Sequence, residues 1–302
     1  MNADQSATGF PAETPSGKGA GDENFPVGSF LLPKSLRPHV ARYYDFARAI
    51  DDVADNPDLP PEVRIERLTR FAQILDGTLP SAPGYEKASR LRETLVERSI
   101  PFRHGTDLTV AFIQDAQKNR YASWDELLGY CENSANPVGR FLLDLHGEDP
   151  ADYPYSDALC TVLQILNHLQ DCGDDLAALD RCYIPTDWMA EARTDIDALR
   201  APAMSPALTQ VKMRMLDGCD ALMADVRRLP KALKSRHLAM ESAVIVRLAE
   251  RLITRLRRAD PLASRVALSK TDFARAGVGG AIAGFFGANS LDRDARGSRQ
   301  PS

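Results

Sequence analysis

The stretch ALCTVLQILNHLQDCGDDL, residues 158–176, begins as an apolar helix and ends in polar residues. Residues three, four, seven or eleven positions apart share one face of a helix, so Gln164, Asn167, Asp171 and Asp175 form a single polar stripe. A buried carboxylate costs much free energy unless a positive charge compensates it. The stretch therefore predicts either a solvated helix end or a site that binds a cation.

A second stretch, YYDFARAIDDVADN at residues 43–56, repeats the pattern about 120 residues earlier. On a helix Tyr44, Arg48 and Asp51 lie along one stripe that continues to Asp55, with Asp52 beside it. Carboxylates one helical turn apart repel each other modestly. Two such acidic stripes in one chain indicate that something compensates the repulsion.

Magnesium is one such compensating group. Mg²⁺ accepts one or two carboxylates, keeps several waters and takes its remaining ligands from substrate phosphates. Two facing acidic helices would bind a small group of these ions, which would neutralise the charge on a leaving diphosphate. Solvated acidic helix faces are the plain alternative. A di-iron bundle would need two Glu-x-x-His pairs, whereas these stripes offer only His168, which projects off the Asp171 stripe.

Apolar residues elsewhere also recur at helical spacing, interrupted by clusters of Pro and Gly. No segment alternates as a strand would, and no internal repeat is visible. We predict one all-α domain over residues 24–270, between a disordered segment at 1–23 and a tail at 271–302. The predicted helices lie at about 36–55, 61–76, 85–99, 105–119, 124–145, 155–179, 205–229 and 234–258.

Composition limits the class of protein. The chain has 302 residues, 44% hydrophobic and 26% charged, which is typical of a globular protein. A net charge of -5 with no dominant basic patch argues against nucleic-acid binding. Five scattered cysteines are typical of reduced thiols in a cytoplasmic protein. The sequence shows neither a signal peptide nor a membrane-spanning run.

The apolar, Gly-rich segment ARAGVGGAIAGFFGA at residues 274–288 leaves three interpretations open. It is too short to span a bilayer. It could lie on the inner membrane surface as a peripheral contact, form part of a disordered tail, or pack on the body of the protein.

Four motifs, in this order and spacing, resemble the squalene/phytoene synthase family of head-to-head trans-isoprenyl synthases. LLPKSLRPHVARYYDFAR (31–48) is similar to the Leu-Pro entry of the family, and AIDDVAD (49–55) to its first aspartate-rich motif. NHLQDCGDD (167–175) resembles the second such motif, and DRCYIP (180–185) the Arg-x-Tyr-x-Pro element after it. The resemblance covers residues 24–270 and implies an all-α helical bundle around a central cavity.

The resemblance also implies Mg²⁺-dependent chemistry on prenyl diphosphates, with two or three Mg²⁺ ions bound together with the diphosphate. By motif, the metal ligands or their close supports would be Asp51, Asp52, Asp55, Asn167, Asp171 and Asp175. The diphosphate would contact Tyr44, Arg48, Arg181 and Arg265. Tyr183 and Gln164 match positions that the family places near the ionising centre.

Three stretches of the sequence depart from the usual motifs of the family. ENFPVGSFLLP (23–33) carries Asn24 at a Ser position, and YCENSANPVGRFLLDL (130–145) contains Pro137, which predicts a kink. NHLQD (167–171) stands where N-I-L-R-D is usual. Together they resemble the hydroxysqualene synthase branch of bacterial hopanoid biosynthesis. That resemblance implies that presqualene diphosphate ionises and that water traps the rearranged cation.

Trapping by water requires polar groups within an otherwise apolar cavity, with about two to four hydrogen-bonding partners for the water. Tyr130, Ser134 and Pro137 share one stripe of the predicted middle helix, with Asn133 and Asn136 alongside. We predict that Tyr130, Asn133 or Ser134 holds this water. Alternatively, the two asparagines satisfy carbonyls that the proline kink leaves free.

No Gly-x-Gly-x-x-Gly motif follows a predicted strand, so we expect no nicotinamide cofactor. The expected substrate is presqualene diphosphate, with functional coupling to a presqualene diphosphate synthase and to a flavin-dependent hydroxysqualene reductase. One alternative is a presqualene diphosphate/squalene or phytoene synthase that condenses two prenyl diphosphates head-to-head. Another is a non-catalytic relative that keeps the fold, against which the intact acidic stripes argue.

Overall fold

The structure, a computed structural model, describes residues 32–269, 271–273 and 275–276. The predicted disordered segment at 1–23 lies outside the described residues, as does most of the tail at 271–302 with its apolar run. No helix in the described part is long and apolar enough to cross a membrane.

The described chain is helical throughout, which confirms the predicted all-α class. Its helices are α1 (Arg37–Ala54), α2 (Pro61–Asp76), α3 (Glu86–Arg98), α4 (Arg103–Asp115), α5 (Trp124–Ser134), α6 (Asn136–His146), α7 (Tyr153–Gln170), α8 (Cys172–Leu179), α9 (Thr186–Glu191), α10 (Pro206–Val226), α11 (Leu229–Ala232) and α12 (Arg236–Arg258). Residues 32–269 contain no strand, only an isolated bridge between Arg120 and Cys182. The short helices α9 and α11 were not predicted, because four to six residues show no clear period.

Serine caps fix where three of the longer helices begin. The hydroxyls of Ser123, Ser205 and Ser235 accept backbone N–H groups three residues ahead, at the starts of α5, α10 and α12. Such a cap satisfies one of the four N–H groups that a helix start leaves without a partner, and contributes about 1 kcal/mol. These starts can be recognised from local sequence.

Two helices predicted as continuous are each divided, which corrects the predicted helices at 124–145 and 155–179. The first ends at Ser134 and resumes at Asn136, because the ring of Pro137 would clash with the carbonyl of Asn133 and offers no N–H. The second changes direction at Asp171, whose φ of -105° and ψ of 9° leave the helical region. Asp and Gly at 171–174 favour helices weakly, so the local sequence permits this bend.

Two large hydrophobic clusters form most of the core of the described residues, beside a small third cluster of Val244, Leu248 and Ala276. One lies mainly among α1 to α4 and α6, and the other among α5 and α7 to α12. Within the first cluster, the ring of Tyr43 on α1 stacks on that of Phe141 on α6, with centroids 4.1 Å apart. The hydroxyl of Tyr43 donates a hydrogen bond to the backbone carbonyl of His104 on α4 at 2.6 Å. These contacts hold α1 against α4 and α6.

Candidate active site

A polar cavity of about 300 Å³ lies where α1, α4, α5, α7 and α8 meet. The two acidic stripes approach it from opposite sides, the first on α1 and the second on α7 and α8. Twelve of the residues singled out in the sequence line it: Tyr44, Arg48, Asp51, Asp55, Tyr130, Ser134, Gln164, Asn167, Asp171, Asp175, Arg181 and Tyr183. The acidic residues are therefore not a solvated helix surface.

Three of the residues singled out are not part of the cavity wall. Asp52 lies beside it, with its carboxylate 3.1 Å from the guanidinium of Arg48. Asn133 is half-buried on α5 and is not among the residues that line the cavity, although its neighbour Ser134 is. Arg265 is exposed in the segment after α12, whereas its neighbour Val266 is buried and accepts a bond from Gln170.

Asn136, one of the two asparagines near the proline kink, bonds to a side chain of α7. Its side chain is buried, and its carbonyl oxygen accepts a hydrogen bond from the hydroxyl of Thr161 at 3.1 Å. The bond joins α6 to α7 and so stabilises the start of α6 where the helix is divided.

Asp115 at the end of α4 is a cavity residue that sequence reasoning missed. It is 4% exposed and accepts hydrogen bonds from the hydroxyls of Tyr130 at 2.7 Å and Tyr183 at 3.2 Å. Burial raises its pKa to about 6, although the nearby Arg181 opposes the shift. A single acidic residue at a helix end carries no periodic signal, so only the folded structure associates it with the two tyrosines.

His168 was also predicted to project off the Asp171 stripe, yet it lines the cavity. Its ring stacks on that of Tyr183, with centroids 3.6 Å apart, and its Nε2 lies 3.2 Å from the amide nitrogen of Gln164. Burial lowers the pKa of His168 to about 3, so the ring is neutral. Helical spacing places His168 one turn after Gln164 and three residues before Asp171, so the prediction that it projects off this stripe was wrong.

Negative charge dominates the cavity. Five carboxylates line it, from Asp51, Asp55, Asp115, Asp171 and Asp175, against the two guanidinium groups of Arg48 and Arg181. Arg48 contacts Asp51 at 2.8 Å, and Arg181 contacts Asp55 at 2.6 Å across 126 positions of sequence. Acidic side chains therefore outnumber basic ones among the lining residues.

The pKa values show the cost of this crowding. Burial, followed by repulsion from Asp55, raises the pKa of Asp51. Burial, followed by repulsion from Asp171 and then Asp55, raises the pKa of Asp175 to about 7. Each carboxylate is held near others of like charge, an arrangement that bound cations would relieve.

The oxygen donors fit magnesium. Within residues 32–269, no three carboxylate, imidazole or thiolate side chains converge closely enough to hold an ion by themselves. Mg²⁺ does not need such a cage, since it takes one or two carboxylates and completes its octahedron with water and phosphate oxygens. Asp51, Asp55, Asp171 and Asp175, with the amide oxygen of Asn167, offer such ligands from two sides of the cavity.

An apolar cavity of about 300 Å³ adjoins the polar one, and Tyr44 and Ala47 of α1 belong to both walls. Its lining is mostly Leu, Val, Ile and aromatic side chains of α1, α6, α7 and α12. Together the two cavities form a site with a charged end and a hydrocarbon end, within the size range of small-molecule sites.

The raised pKa of Asp175 predicts how stability of the metal-free protein depends on pH. Between its ordinary pKa of 3.8 and the folded value of about 7, the folded state holds the proton more tightly than the unfolded chain does. Stability therefore falls as the pH rises through this window. We expect Asp175→Asn, measured by thermal melting without metal, to be more stable than the wild type at pH 7.5, and the difference to shrink towards pH 4. A constant difference between the two proteins across this range would contradict the assignment.

The same experiment tests cation binding. Mg²⁺ with inorganic diphosphate should raise the melting temperature of the wild type more at pH 7.5 than at pH 5.5. The reason is that Mg²⁺ binds the ionised form of the carboxylates, which is more populated at the higher pH. Asp175→Asn should show a smaller rise at pH 7.5. Equal rises in the two proteins would remove Asp175 from the ligand set.

The sequence matches known proteins over nearly its whole length. The sequence model described as squalene/phytoene synthase matches residues 19–272. The hydroxysqualene synthase of Rhodopseudomonas palustris is 40% identical over 89% of this chain and 91% of that protein. The hydroxysqualene synthase of Zymomonas mobilis is 42% identical over 85% of this chain and 86% of that protein.

More distant relatives share the fold. A 15-cis-phytoene synthase from Paracoccus is 29% identical over 85% of this chain and 86% of that protein. The crystal structure of squalene synthase HpnC from Alicyclobacillus acidocaldarius superposes with a TM-score of 0.68 at 28% identity, covering 77% of this chain and 87% of that one. With its two facing acidic stripes and its all-α fold, the chain belongs to the squalene/phytoene synthase family.

Proposed function

We propose that this protein converts presqualene diphosphate and water to hydroxysqualene and diphosphate. The observation that carries the proposal is the junction at Tyr44 and Ala47, where a cavity with five carboxylates opens beside an apolar one. Presqualene diphosphate has the matching shape, with one charged head on a branched hydrocarbon. The relatives at about 40% identity that bear the name hydroxysqualene synthase support this choice over the phytoene synthases, which are less similar.

The polar cavity would bind the diphosphate. Arg48 and Arg181 present guanidinium groups, whose planar fork suits phosphate oxygens, and Tyr44 lies beside them at the junction. Mg²⁺ bound by the acidic stripes would supply Lewis-acid assistance to departure of the diphosphate. The pairing of Arg181 with Asp55 holds this guanidinium in place before the substrate arrives.

The aromatic wall would shelter the cation that forms. When the carbon–oxygen bond breaks, its electron pair leaves with the diphosphate and a cyclopropylcarbinyl cation remains. The ring centroids of Tyr130 and Tyr183 are 5.4 Å apart, and the rings of Tyr121 and His168 both stack on that of Tyr183. Aromatic faces attract cations, so this wall would stabilise the rearranging carbon skeleton and exclude bulk water.

Analysis of products by gas chromatography and mass spectrometry tests the proposal. We expect purified protein with Mg²⁺ and presqualene diphosphate to form hydroxysqualene without any nicotinamide, and the hydroxyl oxygen to come from H₂¹⁸O. Chelation of the metal should abolish the reaction. A separate incubation with farnesyl diphosphate should give no product. Presqualene diphosphate or phytoene-type condensation products from an allylic diphosphate would instead support the head-to-head synthase alternative.

The proposed reaction requires one enzyme that supplies its substrate and another that uses its product. A presqualene diphosphate synthase must supply the substrate, and a reductase, which we expect to be flavin-dependent, must remove the hydroxyl to reach squalene. Functional coupling to these enzymes and contact of the tail with a membrane surface remain predictions from the sequence.

A further inference from the structure

The water that traps the cation needs fixed hydrogen-bonding partners, and the structure narrows the candidates. The hydroxyl protons of Tyr130 and Tyr183 are both directed to Asp115, so neither is available to donate to a water. Asn133 is not among the residues that line the cavity. Of the three groups that the sequence singled out for this role, Ser134 is the one that lines the cavity with a hydroxyl that has no hydrogen-bonding partner among the described residues.

Ser134 has the environment of a water ligand. Its Oγ is buried in the cavity wall and makes no hydrogen bond within the described part of the chain. A buried hydroxyl without a partner costs about 1–3 kcal/mol, so such groups usually have an ordered water or a ligand. Within the polar cavity, this hydroxyl therefore marks a position where a water binds.

Gln164 and His168 on α7 line the same cavity as Ser134 on α5. They lie one turn apart and bond to each other at 3.2 Å. This bond uses one amide N–H of Gln164, which also has a second N–H and a carbonyl oxygen. The stack of His168 on Tyr183, at 14° between planes, fixes the orientation of the ring. The pair is therefore a preorganised polar patch among aromatic side chains.

We infer that Ser134, Gln164 and His168 form the binding site of the water that quenches the cation. This inference rests on the proposed function and adds His168 to its catalytic residues. The oxygen of the bound water forms a bond to the allylic carbon of the rearranged cation. The proton released by the resulting oxonium passes to an oxygen of the departed diphosphate in the same cavity. When the water is lost, the cation loses a proton instead and yields a hydrocarbon.

The ratio of alcohol to hydrocarbon tests the inference. Both products arise from the same cation, so the ratio does not depend on how fast the substrate ionises. We expect Ser134→Ala and His168→Phe each to lower the ratio about tenfold, the effect of losing one hydrogen bond of about 1.4 kcal/mol. His168→Phe keeps a ring to stack on Tyr183, whereas His168→Gln keeps a polar atom and should restore much of the ratio. Glu132→Ala, at an exposed position of α5, is the matched control.

The outcomes separate the inference from the proposed function. If the wild type forms no hydroxysqualene from presqualene diphosphate, the proposed function fails. If the wild type forms the alcohol and both Ser134→Ala and His168→Phe, shown by melting curves to be folded, keep its product ratio, the inference is overturned. A similar loss in His168→Phe and His168→Gln would assign His168 a packing role and exclude it from the water site.

Discussion

Replacement of Asp171 by Asn is expected to lower kcat/KM for presqualene diphosphate by about 100-fold or more while the protein stays folded. Asp171 lies at the bend between α7 and α8 and faces the first acidic stripe across the cavity. Asn has the same shape but no negative charge, so the change weakens cation binding where the diphosphate leaves. Metal assistance contributes several kcal/mol to such reactions, and each 1.4 kcal/mol corresponds to a factor of ten.

Initial rates across a Mg²⁺ titration measure this effect. The variant should need more Mg²⁺ for half-maximal activity, because the loss is in metal affinity as well as in rate. Asp174→Asn is the matched control: Asp174 is acidic, three residues away and exposed, and it does not line the polar cavity. Equal activity of Asp171→Asn and the control at limiting Mg²⁺ would show that the second acidic stripe does not bind the ions.

Replacement of Arg181 by Met is expected to destabilise the protein by about 3 kcal/mol and to abolish activity. Arg181 is 5% exposed, pairs with Asp55 and lies near Asp115. Removing one partner of a buried ion pair costs about 3–5 kcal/mol, because the other charge remains without compensation. Asp55 is partly exposed, with 34% of its side chain accessible, so we expect the lower end of this range.

Chemical denaturation at two pH values tests this prediction. The loss should be largest near pH 7.5 and smaller near pH 5, where Asp115, with its pKa of about 6, accepts a proton. Arg181→Lys should recover part of the stability but little activity, since Lys lacks the planar fork. Arg120→Met removes a partly buried arginine whose partner Asp180 is exposed, so this variant should lose less stability than Arg181→Met. If Arg181→Met and Arg120→Met lose the same stability, burial of the ion pair of Arg181 does not explain the loss.

Much of the fold and of the acidic site could be predicted from local sequence. The helical period of the apolar residues predicted the all-α class, and the spacing of Asp51, Asp55, Asp171 and Asp175 predicted two polar stripes. Helix geometry alone relates residues a few positions apart, so these predictions need no knowledge of the remaining chain. The division at Pro137 was anticipated as a kink, although the structure shows a full interruption at Ala135.

Contacts between distant parts of the chain could not be predicted in this way. Asp115 bonds to Tyr183, which lies 68 positions later, and Arg181 pairs with Asp55, 126 positions earlier. The stack of Tyr183 on His168 likewise joins the segment after α8 to α7. None of these pairs has a spacing that a helix or a short turn would impose.

The sequence by itself determined the helices, their acidic stripes and the resemblance to a family, because each depends on residues close together along the chain. Tertiary structure alone decided that the stripes face each other across one cavity, that Ser134 rather than Asn133 lines it, and that an apolar cavity opens beside it at Tyr44. These outcomes depend on how α1, α4, α5 and α7 pack. Packing is set by the burial of apolar surface from all the helices at once, which no local pattern encodes.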